Sequence, residues 1–519
     1  MPRFHISAED AQGPLVVGVD IGSGGTRAAV YDVSGREVGA LHHKVSHTFT
    51  VDDDGTSTID ADQVVEEIRT ALAAVLTAGP LPGQVRAIGF DTFASSLVAV
   101  DASLPGPVLA IGFDTFASTL VVVDEAGDAI TPCITYADTR CQPQIERLAA
   151  TLDVDDLHER TGARLHSSYT APRLAWLREE HPEVFARTER FMALGEYAAL
   201  KLLGTAALGT ASAAWSGMID RRTGLYEPEL LEAAGVGASA MGPALDPSDA
   251  LPVDGTPLAA EFPQLKDAVW LPVIGDGLAA NLGIGALGSG TWGISTATSG
   301  AIRQLLSTEI PTLPSGLWAY RVDQQRTLVG SAMSDCGRVL DWCRTELAMP
   351  HDVGKTDTAS LFSGPPSDGT PLVIPFFSGE RGTKWRGDSR AVFANVGAST
   401  TWKDMLRGAM EGVALSFLRI ADQMREAGGE PERIVLSGGM TGVVPEWLHL
   451  LSDALGMPID HVAVSRSTMR GAAVMALEQA APGEAVAEAP VLTHVEPVAA
   501  HQDYYRERLE RFEKLADLA

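Results

Sequence analysis

The sequence predicts an α/β protein built from two domains of similar design. The chain has 519 residues, more than a single hydrophobic core usually supports. Its first part is typical of three successive strands, a helix and a further apolar strand, which predicts a mixed sheet with helices packed on it. Each half begins with an apolar strand that ends in Asp and Gly, PLVVGVDIG (14–22) and VWLPVIGDG (269–277). We therefore expect domains at 1–265 and 266–519.

The first half begins with a meander of strands. Residues 14–21 are a continuous apolar run of the buried-strand type, the glycines of GSGG turn the chain into TRAAVYDV, and Ser34-Gly35 turns it into a third strand. Asp60 is a favourable helix N-cap, and apolar residues follow at helical spacing from Val64 to Leu76. We expect this helix to cross over to the next apolar strand.

The sequence of that next strand occurs twice in succession. LPGQVRAIGFDTFASSLVAVD (81–101) and LPGPVLAIGFDTFASTLVVVD (104–124) share 17 of 21 residues. Either copy could fill one place in a sheet, because a shift by the whole period preserves the buried and exposed faces. We predict that the second copy does, since Leu120–Asp124 can then pair with Ile130–Tyr136 across the short turn EAGD. The first copy would then lengthen a surface connection.

The remainder of the chain alternates helices, strands and turns. Residues 172–204 are mainly helical in pattern, and the Pro-, Asp- and Gly-rich stretch 242–258 is typical of a connection between domains. In the second half the pattern predicts a strand at RIVLSGG and helices at about 332–348, 401–427 and 445–455.

Charge and composition indicate a small-molecule ligand. The chain has 39 basic and 67 acidic residues, a net charge of −28, which disfavours nucleic acid and anionic membrane surfaces as partners. The N-terminal residues lack the apolar core of a signal peptide, and no run approaches the ~20 apolar residues of a membrane helix. The four cysteines lack the CxxC spacing of zinc or redox motifs. We expect a cytoplasmic protein.

Three glycine-rich stretches could bring backbone N–H groups close to an anionic ligand. GVDIGSGGTR lacks the lysine and the following helix of a P-loop, so it predicts a hairpin, with Asp20 able to hold Mg²⁺ through water. In VIGDGLAANLG, Asp276 ends a strand and Ala279–Asn281 would start a helix facing the same ligand. LSGGMTG (436–442) admits a phosphate or a flat ligand. Each stretch has an ordinary alternative, a tight turn or a helix cap, but their order along the chain favours function.

With these stretches the chain resembles the FGGY carbohydrate kinases, of the actin-like ATPase superfamily, over nearly its whole length. The matching segments are DIGSGGTR (20–27), TYADTR (135–140), GDGLAANLG (275–283), TSGAIR (298–303), PFFSGERGTKW (375–385), MEGVA (410–414), SGGM…PEWLHLLSDALGMP (437–458) and SRSTMRGAAVMAL (465–477). The resemblance implies two RNase H-like domains flanking a catalytic cleft, with sugar bound mainly by the first domain and ATP mainly by the second.

The resemblance also implies roles for individual residues. Asp276 would be the base that takes the proton from a primary hydroxyl of the sugar, and Asp20 would position Mg²⁺. The implied ATP-binding residues are Gly22, Ser23, Gly24, Gly25, Thr26, Arg27, Thr298, Ser299, Gly300, Gly438 and Gly439. The implied substrate-binding residues are Asp114, Asp138, Arg140, His166, Ser168 and Tyr169. Asp138 could equally be a turn residue and Arg140 a surface cation, while the histidine and tyrosine could be packing residues.

Within the family, LHSSYTAPRLAWL (165–177) and GFDTF followed by TYADTR look most like the gluconate kinase branch. The carboxylate of D-gluconate needs a cation, and Arg140 could bind it in bidentate fashion. A pentulose kinase and a catalytically weak, sugar-binding pseudokinase are the alternatives. The departures from the family pattern that keep the pseudokinase open are Ala297, Asp335, Cys336, Tyr136 and Val444. An acidic side chain at 335 that pointed toward the nucleotide would weaken ATP binding, whereas the intact Asp20 and Asp276 favour a working kinase. We also consider a homodimer.

Overall fold

The computed structural model describes residues 4–77, 108–116, 118–347, 360–362 and 364–519. The chain forms two compact units. The first comprises Met1–Gly283, Tyr320–Thr327 and Ser465–Glu488, and the second comprises Ile284–Ala319, Leu328–Val464 and Ala489–Ala519. The domain ranges expected from the sequence, 1–265 and 266–519, do not include the two later returns of the chain to the first unit.

The first unit is built on an eight-stranded mixed sheet. The strands up to the end of Met1–Gly283 are β1 (His5–Ile6), β2 (Leu15–Gly22), β3 (Gly25–Tyr31), β4 (Glu37–Val45), β5 (Thr50–Val51), β6 (Ser57–Ile59), β7 (Val108–Thr115), β8 (Val121–Val123), β9 (Cys133–Ile134), β10 (Arg190–Met192), β11 (Leu208–Gly209), β12 (Ala244–Leu245), β13 (Leu251–Pro252), β14 (Val269–Trp270) and β15 (Ile274–Gly275). The main sheet has the order β1-β4-β3-β2-β7-β14-β13, and β15 also pairs with β7.

Ten helices accompany these strands in Met1–Gly283 as far as it is described. They are α1 (Ala61–Thr77), α2 (Gln142–Thr151), α3 (Val154–Thr161), α4 (Thr170–Glu180), α5 (Pro182–Phe185), α6 (Leu194–Leu203), α7 (Thr210–Trp215), α8 (Pro228–Ala234), α9 (Pro257–Glu261) and α10 (Asp276–Gly283). The predicted helical region 172–204 holds most of α4 and all of α5 and α6, interrupted by β10.

The predicted meander and crossover are confirmed. β2, β3 and β4 pair successively in antiparallel register. At the β2–β3 turn Gly25 has a φ of +140°, and a Cβ there would lie 2.4 Å from the carbonyl oxygen of Val45, so glycine is required. The N–H of Gln63 donates to the Asp60 carboxylate at 3.0 Å, which caps α1 as expected. The helix leads across to β7, which lies parallel to β2.

The second copy of the repeat occupies the sheet, as predicted. β7 comes from this copy and pairs with both β2 and β15. The predicted local pairing is present too, because Leu120 and Ile134 form an antiparallel bridge and the N–H of Ile130 donates to the Val122 carbonyl oxygen at 2.9 Å. The first copy, 81–101, lies outside the described residues.

The stretch 242–258 is not a connection between the units, so that interpretation was wrong. It lies wholly within the first unit and carries β12 and β13. β13 pairs with β14 at the edge of the main sheet, with Leu251 opposite Trp270. The prolines and glycines of this stretch lie in and between short strands. A short strand at a sheet edge can have the same proline- and glycine-rich composition as a linker.

A helix from late in the chain, Ser467–Ala480, completes the first unit. It packs on β2 and β7 at positions where both strands carry glycine. A Cβ on Gly18 would lie 2.4 Å from the carbonyl oxygen of Met469, and one on Gly112 would lie 2.0 Å from that of Ala472. The helix and the sheet therefore meet backbone to backbone, an approach that any larger residue would prevent.

The second unit is organised around a seven-stranded sheet. The remaining strands are β16 (Thr291–Thr296), β17 (Gly300–Leu306), β18 (Trp318–Arg321), β19 (Thr327–Met333), β20 (Leu372–Ile374), β21 (Val392–Ala394), β22 (Arg433–Ser437), β23 (Ile459–Val462) and β24 (Val491–Val495). The sheet has the order β18-β19-β17-β16-β22-β23-β24, and β20 pairs with β21. Apart from the short helical stretch at 360–362, the helices in the described part of this unit are Gly337–Glu346, Trp402–Gly428, Gly439–Val443, Trp447–Leu455 and Gln502–Ala516, which confirms the three predicted there.

The helix Trp402–Gly428 forms the centre of the second unit's core. Thr401 and Asp404 form a capping box at its start, and residues such as Val413 and Phe417 on its buried face are fully enclosed. Of the helices in the described ranges, none combines the length and apolar character needed to span a bilayer.

Candidate active site

Three aspartates lie at the ends of three neighbouring parallel strands in the first unit. β2 and β15 both pair in parallel with β7. Asp20 on β2 is the register partner of Asp114 on β7, and Asp276 follows β15 directly. Because the carboxyl ends of parallel strands share one edge of a sheet, the structure brings these three residues together. Ligands bind at this edge in sheets of this kind.

Asp20 is held by an ion pair with its cross-strand neighbour. The carboxylate is 2% exposed, and its Oδ2 accepts a hydrogen bond from Arg27 Nη1 at 2.6 Å. Arg27 occupies the facing position on β3 and is half-buried. The arginine therefore neutralises Asp20 and fixes its orientation.

Asp114 is the most deeply buried of the three carboxyl groups. It has no exposed surface, and among the described residues neither of its oxygens accepts a hydrogen bond. Burial raises the pKa of Asp114 well above its usual range, and the nearby charges of Asp20 and Asp276 raise it further. Asp114 was expected to contact substrate, and that role remains a prediction.

Asp276 is the first residue of helix α10. We expected the helix to begin at Ala279–Asn281, but it begins three residues earlier, directly after β15. The short turn is possible because Gly275 lies against Trp215, whose ring carbon Cε3 would be 2.3 Å from a Cβ at that glycine. The helix N-terminus favours the ionised form of a carboxylate in its first turn.

The turn between β2 and β3 leaves its backbone accessible. Ser23 and Gly24 are exposed, and in the described part of the chain no atom lies within 4 Å of where a Cβ on Gly24 would be. Thr26, in contrast, is buried, and its hydroxyl donates to Glu67 Oε2 at 2.8 Å. An anion could therefore approach the N–H groups of this turn closely.

Asp138 and Arg140 form one tightly bonded pair. The buried Asp138 carboxylate accepts hydrogen bonds from the Ser57 N–H at 2.9 Å and from Arg140 Nη2 at 2.7 Å. The Arg140 guanidinium also lies 4.4 Å from the ring centre of Trp176. Asp138 is thus more than a turn residue, and Arg140 would meet a ligand as one member of an ion pair.

His166, Ser168 and Tyr169 are joined in one segment before α4. His166 Nδ1 accepts the Ser168 N–H at 3.1 Å, which assigns the ring proton to Nε2 when the ring is neutral. The Tyr169 hydroxyl lies 2.6 Å from that of Tyr320, and Tyr320 stacks on Trp215 with ring centres 4.7 Å apart. Tyr169 is therefore largely a packing residue within the first unit, while His166 and Ser168 remain partly accessible.

Arg173, which the sequence analysis did not single out, holds the turn after β7. Its buried guanidinium donates from Nε to the Ser167 carbonyl oxygen at 2.8 Å and from Nη1 to the Ser118 carbonyl oxygen. Ser118 has a φ of +55°, and its hydroxyl donates to the Trp215 carbonyl oxygen at 2.7 Å. Burial lowers the pKa of Arg173 to about 10. The sequence feature that could have indicated this role is the position of a single arginine within the apolar part of α4.

In the second unit, the predicted nucleotide-binding residues lie at the ends of two paired strands. Thr298 and Ser299 form an exposed tip between β16 and β17, and Gly300 begins β17. β22 lies parallel to β16 and ends just before Gly438. Gly438 has a φ of +144°, and a Cβ there would lie 2.0 Å from the carbonyl oxygen of Thr296. The two segments therefore meet at one edge of this sheet, and Gly439 beside them is exposed.

The departures at Ala297 and Asp335 are accommodated within the second unit. The Asp335 carboxylate accepts hydrogen bonds from the Ser378 N–H at 2.7 Å and the Ser378 hydroxyl at 3.0 Å, and it pairs with Arg338 at 3.2 Å. Its pKa is raised by burial, although these contacts oppose the increase. The Ala297 carbonyl oxygen accepts the N–H of Gly337 at 2.8 Å. The charge at 335 is thus directed to internal partners.

The donor atoms at the edge of the first sheet suit a hydrated magnesium ion. In the ranges described, no group of three or more His, Cys, Asp or Glu side chains is arranged to enclose a metal. Mg²⁺, however, keeps several waters and usually takes one or two carboxylates together with substrate phosphates. Asp20 and Asp276 offer the oxygen ligands that this ion prefers, so the residues present fit it.

Family models for both halves match this chain. The model described as the FGGY family of carbohydrate kinases, N-terminal domain, matches residues 105–269, and that for the C-terminal domain matches residues 286–480. Together they cover more than half of the chain. This chain belongs to the FGGY family of carbohydrate kinases. It is therefore a sugar kinase, and its first matched residue falls at the start of the second repeat copy.

Known relatives of this kinase include enzymes for several sugars. The gluconokinase of Bacillus subtilis is 22% identical over 475 residues, covering 89% of this chain and 87% of the relative. The xylulose kinase of Streptomyces coelicolor is 27% identical over 486 residues, covering 90% and 88%. The crystal structure of gluconate kinase from Lactobacillus acidophilus superposes with a TM-score of 0.83 at 18% identity, covering 97% of this chain and 98% of the other. The fold is thus the two-domain fold of this family.

Proposed function

We propose that this kinase transfers the γ-phosphoryl group of ATP to a primary hydroxyl of a sugar or sugar acid, with D-gluconate as the first candidate. The proposal depends above all on the convergence of Asp20, Asp114 and Asp276 at one sheet edge in a member of this family. Phosphoryl transfer needs positioned groups and charge neutralisation more than covalent help from the protein. A base, an anion-binding turn and acidic groups for a metal meet that need.

Asp276 would act as the general base. It would take the proton of the attacking hydroxyl, and it lies in the first turn of α10, where the helix dipole stabilises negative charge. The Asp20 carboxylate is instead bound in an ion pair with Arg27. These two carboxylates would therefore have different roles, one for the proton and one for the metal.

The glycine turns would hold the phosphates of ATP. In the Gly22–Thr26 turn the exposed Ser23 and Gly24 would offer their N–H groups to anionic oxygens despite the net charge of −28 over the whole chain. The exposed Thr298–Gly300 tip would bind phosphate in the same way, and Gly438 and Gly439 would allow adenosine close to the backbone. Bound Mg²⁺, held by Asp20 through water, would neutralise the charge on the phosphates.

Two sugar classes remain candidates, and different observations support each. Arg140 could bind the carboxylate of gluconate, in keeping with the likeness to gluconokinases. Arg140 is already paired with Asp138, however, so the pair offers both a donor and an acceptor, a combination that suits the hydroxyls of a neutral pentulose. The likeness to xylulose kinases favours this second candidate.

A substrate panel tests the proposal. ADP release would be measured with gluconate, xylulose, ribulose, glycerol and related polyols at saturating ATP and Mg²⁺, and we expect turnover with gluconate to exceed that with any neutral sugar. Faster turnover with xylulose or ribulose would establish the pentulose kinase instead. Tight sugar binding without turnover of any sugar would favour the pseudokinase and overturn the assignment of Asp276 as the base.

A further inference from the structure

A buried histidine and a buried glutamate lie behind the β2–β3 turn. His47 is 6% exposed and Glu67 is 5% exposed. His47 Nδ1 lies 2.7 Å from Glu67 Oε2, and His47 Nε2 lies 2.9 Å from the carbonyl oxygen of Gly22. The same Glu67 oxygen accepts the Thr26 hydroxyl at 2.8 Å. One carboxylate is therefore linked to both ends of the turn, directly at Thr26 and through His47 at Gly22.

The contacts of His47 give its two ring nitrogens different partners. The Gly22 carbonyl oxygen can only accept a hydrogen bond, so Nε2 carries a proton and donates it there. Nδ1 shares a hydrogen bond with the Glu67 carboxylate. Burial tends to raise the pKa of Glu67, but hydrogen bonds from His47, Gln63 and Thr26 outweigh it and lower that pKa.

The pair is fixed from several sides. Gln63 Nε2, one turn earlier on α1, donates to the second oxygen of Glu67 at 2.9 Å. The His47 ring stacks on Phe49 with ring centres 6.1 Å apart, and Phe49 packs edge-on against Phe116 at 5.1 Å. The N–H of Phe116 in turn donates to the Ile21 carbonyl oxygen at 3.0 Å, next to Gly22. The two groups thus have defined positions from which to act on the turn.

We propose that the His47–Glu67 pair is the positioning element that orients the Gly22–Thr26 turn for the phosphates of the nucleotide. The inference rests on the proposed function, in which this turn binds ATP. The Gly22 carbonyl oxygen accepts from His47, so the N–H of Ser23 in the same peptide is directed the opposite way, toward the outside of the turn. Glu67 holds Thr26 inward. The strands themselves remain paired through Gly22 and Gly25 without this support, so the pair acts on the turn's geometry and touches no substrate.

The test separates the two contacts of His47. His47→Phe keeps the aromatic packing and removes both hydrogen bonds, His47→Gln keeps a donor directed at Gly22, and His47→Asn keeps one directed at Glu67. We expect His47→Phe to raise KM for ATP roughly 10-fold or more, with KM for the sugar within about two-fold of the parent. His47→Gln should recover more of the ATP affinity than His47→Asn.

Two further variants distinguish positioning from general stability. Glu67→Gln can still accept from His47 and Thr26 and should retain most of the ATP affinity, whereas Glu67→Leu should resemble His47→Phe. His501→Phe is the matched control, because His501 Nδ1 makes an equivalent 2.7 Å contact with Asp453 in the second unit. It should lower the melting temperature to a similar degree without changing KM for ATP.

Direct measurement of ADP binding by calorimetry distinguishes failure of the positioning role from failure of the proposed function. If the parent binds ADP and the His47 and Glu67 variants bind it equally well, the positioning role is wrong although the proposed function stands. Equal increases in KM for ATP and sugar would also contradict it, since that pattern indicates a general structural loss. If the parent binds no nucleotide, the proposed function fails, and this inference fails with it.

Discussion

Asp20 and Asp114 face one another in the parallel register of β2 and β7, and within the described ranges Asp20 has an ion-pair partner whereas the Asp114 oxygens have no hydrogen-bond partner. Asp20 has Arg27 as its partner at 2.6 Å, whereas Asp114 is fully buried beside it with its pKa raised by burial and by the charges of Asp20 and Asp276. Two ionised carboxylates cannot donate to each other, but a protonated Asp114 can donate to Asp20. The folded protein therefore favours a proton on Asp114.

Asp114→Asn should stabilise the protein at neutral pH. The unfolded chain releases this proton above about pH 4, while the folded chain retains it, so the contribution of Asp114 to stability falls as pH rises through that range. Asparagine supplies a similar donor without a charge to bury. We expect the free energy of unfolding at neutral pH to increase by at least about 1.4 kcal/mol, the equivalent of one pKa unit.

Urea unfolding of the parent and of Asp114→Asn at several pH values between about 5 and 8 checks this expectation. The increment should grow with pH. The matched control is Asp91→Asn, at the equivalent position of the first repeat copy. An increment that was independent of pH, or equal in both variants, would mean that Asp114 is not the protonated group.

Asp276→Asn should separate catalysis from binding. The substitution removes the proposed base while nearly preserving its shape, so kcat should fall at least ~10²-fold while the affinities for sugar and ATP stay close to those of the parent. Steady-state kinetics together with calorimetric binding of both ligands make the comparison. Activity within a few-fold of the parent would refute the assignment of Asp276 as the base.

Arg140→Ala should discriminate between the two sugar classes. If Arg140 binds the carboxylate of a sugar acid, the loss of a charge-assisted contact should raise KM for gluconate roughly 10-fold or more, and KM for a neutral pentulose much less. Arg147→Ala removes an exposed arginine paired with Glu179 and serves as the control. Equal effects of Arg140→Ala on both sugars would argue that no carboxylate binds there.

Gly438→Ala should disrupt the edge of the second sheet at which we propose that the nucleotide binds, whereas Gly439→Ala should not. Gly438 has a φ of +144° and faces the Thr296 carbonyl oxygen at a distance that excludes a methyl group. At Gly439 a Cβ would meet no atom of the described residues within 4 Å. Thermal unfolding should register a loss of at least ~1–3 kcal/mol for the first variant, and little change for its neighbour. Similar stabilities would contradict the close approach.

Deletion of residues 81–103 should leave kinase activity near that of the parent. The second repeat copy supplies β7 and its pairing with β2, so one copy satisfies the sheet, and removal of an apolar β-prone segment should improve solubility. Activity and aggregation of the deletion variant would be measured alongside Asp114→Ala and Asp91→Ala. Asp114→Ala should impair sugar binding more. If the deletion variant does not fold, the fold requires the duplicated segment and this prediction is wrong.

Local signals accounted for much of the first sheet. The β2–β3 hairpin, the Asp60 cap and the choice of the second repeat copy all follow from contacts between residues close in sequence, which turn chemistry and periodicity describe well. The positions of Asp20 and Asp276 at the ends of strands were predictable because each follows an apolar run next to glycine. The sequence therefore indicated the edge of the sheet where the carboxylates converge.

Contacts between distant segments could not be predicted in this way. His47 and Glu67 belong to no spacing motif, and Arg173 is an isolated cation in an apolar helix; their partners become evident once the turn at Gly22 and the left-handed Ser118 are in place. The stretch 242–258 was wrongly interpreted because edge strands and linkers share the same glycine- and proline-rich composition. Nor did periodicity indicate which sheet the helix Ser467–Ala480 would cover.

The position of that helix constrains how the protein can form during synthesis. Its backbone seats directly on Gly18 and Gly112, so the first sheet lacks one of its covering layers until residues near the C-terminus have left the ribosome. Domains usually fold in order as the nascent chain emerges. Here the sheet that contains β2 and β7 is synthesised early, but its packing is complete only after the helix Ser467–Ala480 has been synthesised. We therefore expect the apolar strands β2 and β7 to present an uncovered face during most of translation, a surface of the kind that chaperones bind.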